Sequence, residues 1–182
     1  MDKRGAQVIG TFSRNSAQNA DLLAGVKLRP PDILFDSEAK LDLGGVSARL
    51  LWGAGHTKGD ELIFVEPDSA LITGDIVQNK VIPAISSEGP TTASWLAILD
   101  KLETLHPRYV IPDHSPIGDA SLIAKEHTLI LELQSAAIAL KRQGVLVEDA
   151  GKQLTAEFKT KYPDWASMNP VANFVRRVYA EN

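Results

Sequence analysis

Three polar side chains of this 182-residue sequence stand in Gly- or Pro-rich turns that follow β-prone runs. They are His56 in Gly53-Ala54-Gly55-His56-Thr57-Lys58-Gly59-Asp60, Asp75 in Thr73-Gly74-Asp75, and His114 in Ile111-Pro112-Asp113-His114-Ser115-Pro116. Glycine beside a His or Asp lets the backbone turn sharply, so the side chain projects from the end of a strand. Loops on a rigid scaffold are where reactive groups concentrate. Two imidazoles and a carboxylate form a set that a borderline cation such as zinc or iron accepts. Taken singly, a His in a turn is more often a surface hydrogen-bonding residue, and an Asp after Gly more often a turn former. The repeated setting of strand, turn and ligand type is what draws the three together. Asp60 either closes its own turn or supports His56 as an outer acceptor, a common partner of metal-bound His.

The elements that must position these turns are legible in the spacing. Gln7 to Phe12 is β-prone, and Ser16 to Leu23 reads as a short helix capped by Asn15 or Ser16. Arg29-Pro30-Pro31-Asp32 breaks regular structure. Strands are expected at Ile33 to Phe35, Lys40 to Leu43 and Val46 to Trp52, the last two joined by the Gly44-Gly45 hairpin turn. A second hairpin pairs Glu61 to Glu66 with Ser69 to Thr73. Residues 76–90 are turn-rich. A helix capped by Thr91 or Thr92 runs to about Leu105, with Trp95, Leu96, Leu99, Leu102 and Leu105 at helical spacing. Tyr109 to Pro112 is a short buried strand. Asp119 caps a long helix to about Gln143, ended by Gly144, and two more helices follow at Val147–Thr160 and Pro170–Ala180. Trp95, Trp165 and Phe174 are read as core, His106 before Pro107 as a helix-end residue and His127 as a helix boundary position. The economical reading is one α/β domain over 1–182 with a helical region from about 147.

Composition narrows the functional classes. Hydrophobic residues make up 44% and charged ones 23%, the globular average, so a disordered or fibrous chain fits poorly. The net charge of -4 and the shortness of the basic clusters argue against a nucleic-acid binder, whose affinity comes largely from phosphate neutralisation. No apolar run approaches the ~18–20 residues that cross a bilayer, so no membrane partner is expected. The absence of cysteine excludes disulfides, thiol catalysis and Cys-ligated zinc. As written the chain is expected in the cytoplasm, or in the periplasm if a preceding segment carries an export signal.

The run Gly55-His56-Thr57-x-Gly59-Asp60, then a hairpin, Thr73-Gly74-Asp75, a helix and Ile111-Pro112-Asp113-His114-Ser115-Pro116 resembles the later part of a metallo-β-lactamase superfamily domain. That superfamily carries Gly-His-Thr, Gly-Asp and Pro-Gly-His-Gly motifs in this order. The resemblance covers most of the chain and implies an αβ/βα sandwich with one or two metal ions, usually zinc, at one edge of the sheets. By the family pattern His56 binds the first metal, Asp75 bridges both as the catalytic carboxylate, and His114 binds the second. The implied activity is hydrolysis of a small ester, thioester or lactam by a metal-activated hydroxide. Asn79, Lys80 and the loop to Ser87 face the metal edge on this reading, as a substrate contact or as a surface loop.

The sequence departs from the family pattern in two places. The His-x-His-x-Asp-His cluster is absent: the four histidines are His56, His106, His114 and His127, and none precedes His56. Asp113 and Ser115 also stand where the family usually has glycine, and are expected to crowd or recharge the turn carrying His114. The implied domain is N-terminally incomplete, with weak or absent zinc and impaired turnover, since a catalytic zinc normally takes three protein ligands and an open position. Sheet edges and apolar faces left uncovered open a route to self-association. Two rival readings stay open: an inactive remnant acting as a binding or interaction module, and a mononuclear iron site built from two His and one carboxylate.

Overall fold

The computed structural model describes residues 2–27, 29–85 and 89–181. The chain divides into two compact units between Phe35 and Asp36.

The first unit is a helical hairpin of α1 (Asp2–Ser13) and α2 (Ala17–Leu23). Ser16 caps α2 as the sequence indicates, its side chain accepting the Asn19 N–H at 3.0 Å. The β-prone run Gln7 to Phe12 is instead the second half of α1. The cost of β-branched residues in a helix is a few tenths of a kcal/mol, and Thr11 returns its hydroxyl to the Gln7 carbonyl at 2.9 Å. Helical spacing puts Val8, Ile9 and Phe12 on one side, where they line an apolar groove with Leu22 and Leu23 of α2. The expected strand at Ile33 to Phe35 is also not formed. Ile33 and Leu34 are 65% and 81% exposed, and among the described residues no strand pairs with them.

In the second unit, β1 (Glu38–Asp42), β2 (Ser47–Gly53), β3 (Asp60–Val65), β4 (Ala70–Gly74) and β5 (Tyr109–Pro112) form one sheet in the order β1-β2-β3-β4-β5. The first three pairings are antiparallel hairpins. The fourth is parallel, with α3 (Thr92–Glu103) as the crossover. Gly44 and Gly45 have φ of 76° and 103°, the left-handed pair that a two-residue hairpin turn needs to match strand twist. Thr91 caps α3 through the Ser94 N–H. The N-cap of the long helix α4 (Ser121–Arg142) is Ala120, not Asp119, and has no side-chain cap. Asp119, one residue earlier, accepts the Ser121 N–H on Oδ1 at 2.9 Å, and hydrogen bonding to Ser121 holds its carboxyl below the ordinary value. Two further helices, α5 (Val147–Lys161) and α6 (Asn169–Glu181), close the unit.

Register decides which sheet face is buried. Leu51 opposes Leu62 and Phe64 opposes Leu71, all on the face covered by Trp95, Leu99 and Leu102 of α3 and by Ile123, Ile130 and Leu133 of α4. Each fully buried Leu or Ile there contributes about 1.5–3 kcal/mol relative to exposure. Phe174, Val175 and Val178 of α6 extend this core. Leu50, Ile63 and Ile72 pair in register on the opposite face, where no helix of the unit packs and Ile72 is 38% and Trp52 45% exposed. No described helix is long and apolar enough to cross a membrane.

Candidate metal centre

The three turns singled out in the sequence open at the same end of the sheet. His56 follows β2, Asp75 follows β4 and His114 follows β5.

The His56 turn is closed by Asp60. Its carboxylate accepts the N–H of Gly55 at 2.9 Å, the N–H of Thr57 at 3.0 Å and the Thr57 hydroxyl at 2.5 Å. Gly55 is required by space: a Cβ there would lie 2.6 Å from Ile76 Cδ1 and 2.8 Å from the Trp95 ring. The Trp95 indole N–H donates to the Ile76 carbonyl at 3.0 Å, so the same indole that fills the core pins the loop leaving Asp75. His56 Nδ1 lies 2.5 Å from the Ala84 carbonyl. A carbonyl accepts only, so Nδ1 carries a proton, which selects the tautomer in which Nε2 is the nitrogen available to a metal. That Nε2 is 3.5 Å from Asp75 Oδ2.

His114 stands on the other side of the same carboxylate, its Nε2 3.8 Å from Asp75 Oδ1 and 3.5 Å from Asp113 Oδ2. Asp75, Asp113 and His114 each bring one ligand atom within 4.8 Å of the others. The Asp75 carboxylate therefore lies between two imidazoles. The sequence reading brought together His56, Asp75 and His114; it counted Asp113 only as an obstacle to the turn, although its place beside His114 at a strand end was a usable signal.

Behind these groups is a latch with no sequence signature. Gln78, 5% exposed, donates its amide to the Gly74 carbonyl at 3.1 Å and to Asp113 Oδ1 at 2.5 Å. Its carbonyl accepts the Ser115 hydroxyl at 2.7 Å, and that hydroxyl accepts the Asn79 N–H at 2.8 Å. Gln78 thus ties the loop after β4 to the loop after β5, and Ser115 tethers the turn it was expected to crowd. Asp113 Oδ1 is held by this latch while Oδ2 faces His114.

The donor set fits a divalent cation. Imidazole nitrogens of His56 and His114 lie 3.5–3.8 Å from carboxylate oxygens of Asp75 and Asp113, a set of N and O ligand types that a divalent cation accepts. His56 and Asp75 are about 30% exposed and His114 is 70% exposed, so the edge is open to solutes.

Other candidates fall elsewhere. Asp60 holds backbone N–H groups and the Thr57 hydroxyl, while the outer partner of the His56 ring is Ala84. Asn79 meets the site through its backbone. Lys80, in the left-handed region at φ 61°, points the chain away toward a cavity beside α4; the continuation at residues 86–88 lies outside the described residues. His106 is exposed at φ 46° after α3, and His127 pairs with Asp100 at 3.1 Å between α4 and α3. Trp95 and Phe174 are core, whereas Trp165 is half-buried and stacks on Tyr162 at 4.3 Å between ring centroids.

The sequence model of the metallo-beta-lactamase superfamily matches residues 3–114. A metallo-beta-lactamase from Pontibacter korlensis is 24% identical, with 64% of this chain and 56% of that one aligned at a TM-score of 0.51. A metallo-beta-lactamase family protein from Thermus thermophilus is 17% identical, covering 89% of this chain and 53% of that one at a TM-score of 0.66. A double mutant of the sec-alkyl sulfatase PisA1 is 16% identical, covering 85% of this chain and 27% of that one at a TM-score of 0.63. This chain spans about half the length of the first two. Among curated proteins nothing matches. At these identities the solved structures speak for the fold, an α/β arrangement of the kind the motifs implied. With its sequence model aligned over residues 3–114 of 182, the chain belongs to the metallo-beta-lactamase superfamily.

Proposed function

We propose that this chain provides part of a zinc-dependent hydrolase centre acting on a small ester, thioester or lactam. The observation that supports this most is the flanking of Asp75 by His56 and His114, each from a different strand end. His56, Asp75, Asp113 and His114 are the groups that would hold the ion. When bound, zinc supplies Lewis acidity toward a carbonyl oxygen and toward water.

The chain's own residues do the rest. The Ala84 carbonyl fixes the His56 ring with Nε2 inward, Gln78 fixes Asp113, and Asp75 is the carboxylate placed to hold a proton released at the edge. The donor set of this chain is two imidazoles and two carboxylates without the His-x-His-x-Asp-His cluster, so its zinc affinity and turnover by itself are low compared with a full set of three ligands per ion. Lys80 and Asn79 line the cavity beside α4 together with Gln78, the residue that holds Asp113, which supports a substrate-contacting role.

Metal analysis of the purified protein beside a His56→Ala, His114→Ala double variant tests the centre. Zinc retained by the parent and lost from the variant is expected, and equal zinc content in both removes the proposal. Zinc uptake without hydrolysis of any member of an ester, thioester and lactam panel favours the binding-module reading over the enzyme. Lys80→Ala, which leaves zinc content alone, is expected to raise KM; unchanged kinetics removes the substrate-contacting role.

A further inference from the structure

Glu126 is the one buried side chain of α4 whose chemistry the metal centre does not use. It is 2% exposed, and its Oε1 is buried without a hydrogen-bond partner among the described residues. A buried polar group left unsatisfied destabilises the fold. Natural interiors rarely leave such an atom without a bound group to meet it.

The residue forms the floor of a cavity of about 230 Å³ whose walls include Leu122, Leu129, Tyr162 and Trp165. A more open groove of about 480 Å³ shares Lys125, Leu129, Tyr162 and Trp165 with it. The stacked Tyr162 and Trp165 rings offer a flat apolar wall suited to an aryl or acyl body. Lys80 and Lys125, both exposed, also line the cavity, and neither forms an ion pair with a described residue. Gln78 lines it too, and Gln78 is the residue that holds Asp113. The cavity is therefore next to the candidate metal edge.

We infer that the cavity over Glu126 is a ligand pocket for a small carboxylate with a flat or acyl body whose far end carries a carbonyl oxygen. The polarity of each end follows from the lining. Burial pushes the Glu126 carboxyl well above its ordinary value, and the only opposing influence is the Gln78 backbone N–H. Burial therefore favours the protonated acid over the carboxylate. Glu126 Oε1 is the buried oxygen left without a partner, and in the acid form its hydroxyl is a donor that a ligand carbonyl would meet. In either protonation state of Glu126 the two ammonium groups of Lys80 and Lys125 outnumber the one carboxyl of the lining, which selects an anionic end. The length from lysines to floor is spanned by apolar walls, which exclude a ligand charged throughout.

In naming a substrate class this inference rests on the hydrolase reading, since hydrolysis of esters and lactams yields carboxylates. Occupancy of the pocket does not rest on it and is measurable without metal. The probe is 4-acetylbenzoate, titrated into the EDTA-treated full chain and followed by tryptophan fluorescence and calorimetry. Saturable binding is expected with a Kd on the order of a millimolar, as for a fragment of about a dozen heavy atoms. Glu126→Leu and Lys125→Ala are each expected to weaken it about tenfold, while Glu126→Gln, which keeps a donor at the floor, retains it. The uncharged 4-acetylbenzamide and the shorter benzoate are expected to bind more weakly than the probe. Circular dichroism melts confirm folding, and Lys125→Ala, on an exposed side chain, keeps the test decisive should Glu126→Leu fail to fold. No saturable binding, or binding indifferent to both Lys125→Ala and Glu126→Leu, overturns the pocket and leaves a buried water as the occupant of the floor. Zinc uptake is measured separately, after EDTA is removed and zinc is added back: probe binding without zinc uptake keeps the pocket and removes the hydrolase reading, and zinc uptake without probe binding does the reverse.

Discussion

Asp60 acts on His56 without touching its ring. By gathering the N–H groups of Gly55 and Thr57 it sets the turn from which the imidazole projects. Asp60→Ala is expected to lower zinc affinity by about tenfold, the lower end for outer partners of a ligand, with little loss of helix signal; calorimetric zinc titration beside circular dichroism checks it. Asp113→Asn gives a sharper outcome at the other side of the site. The amide still pairs with Gln78 but removes the charge facing His114, so zinc content is expected to fall while the melting temperature stays within a few degrees. Glu126 behaves oppositely. Its folded-state carboxyl titrates well above the usual 4.5 because burial penalises the charged form. Between that value and the raised one the folded protein holds a proton that the unfolded chain has lost, so folding loses stability as pH rises through this window. Glu126→Gln removes the slope. Thermal melts from about pH 5 to about pH 8 are expected to show the variant gaining on the parent, by about 1–3 kcal/mol at the alkaline end.

Elements place the site by close contact as much as by hydrogen bonds. The turn after β2 rests on α3, and Gly55 is where the two meet: Ala there puts a methyl group against Ile76 and Trp95 at less than contact distance. Gly55→Ala is expected to cost about 1–3 kcal/mol, roughly 2–4 °C of melting temperature per kcal/mol for a chain of this size, with loss of zinc as the loop shifts. The start of α3 carries a second, separate determinant. Thr91 caps it through the Ser94 N–H, and buried Thr92 gives its N–H and hydroxyl to Glu181 of α6 while accepting the Gln134 amide of α4. Thr91→Ala is expected to cost about 1 kcal/mol; Thr92→Val, which leaves the Gln134 amide and the Glu181 carboxylate each short of a buried partner, is expected to cost more, both read from denaturant unfolding.

For the molecule as a whole, the unequal cover of the two sheet faces matters most. Helices α3 and α4 pack one face. The other presents Leu50, Ile63 and Ile72 in register, with Trp52, Ile72 and Tyr109 between 38% and 45% exposed. The edge itself is guarded: β1 carries Glu38, Lys40 and Asp42 on its exposed positions, and charges on an edge strand oppose strand addition. Of the two routes to self-association that the sequence reading named, uncovered sheet edges and uncovered apolar faces, the apolar face is the one expected here. Sedimentation velocity is expected to show concentration-dependent association that persists at high salt, since screening acts on charge and not on apolar contact, and that Ile72→Lys weakens.

Local pattern along the chain was enough for most of the scaffold. Paired glycines marked the β1–β2 turn, alternation marked the strands, and helical spacing with a Thr or Asp ahead of it marked α3 and α4, because each of these signals depends on residues no more than a few positions apart. The order of the three ligand-bearing turns was legible for the same reason. Long-range closure decided the rest. Gln7 to Phe12 had the composition of a strand and became a helix once Val8, Ile9 and Phe12 could line a groove with Leu22 and Leu23. Asp113, Gln78 and Glu126 sit at positions whose spacing says how far they are from their neighbours in sequence and nothing about what lies across the fold. A hydrogen bond between residues 35 positions apart, or a carboxyl enclosed among α4, the Gln78 loop and the aromatic pair, exists only when the chain has closed around it.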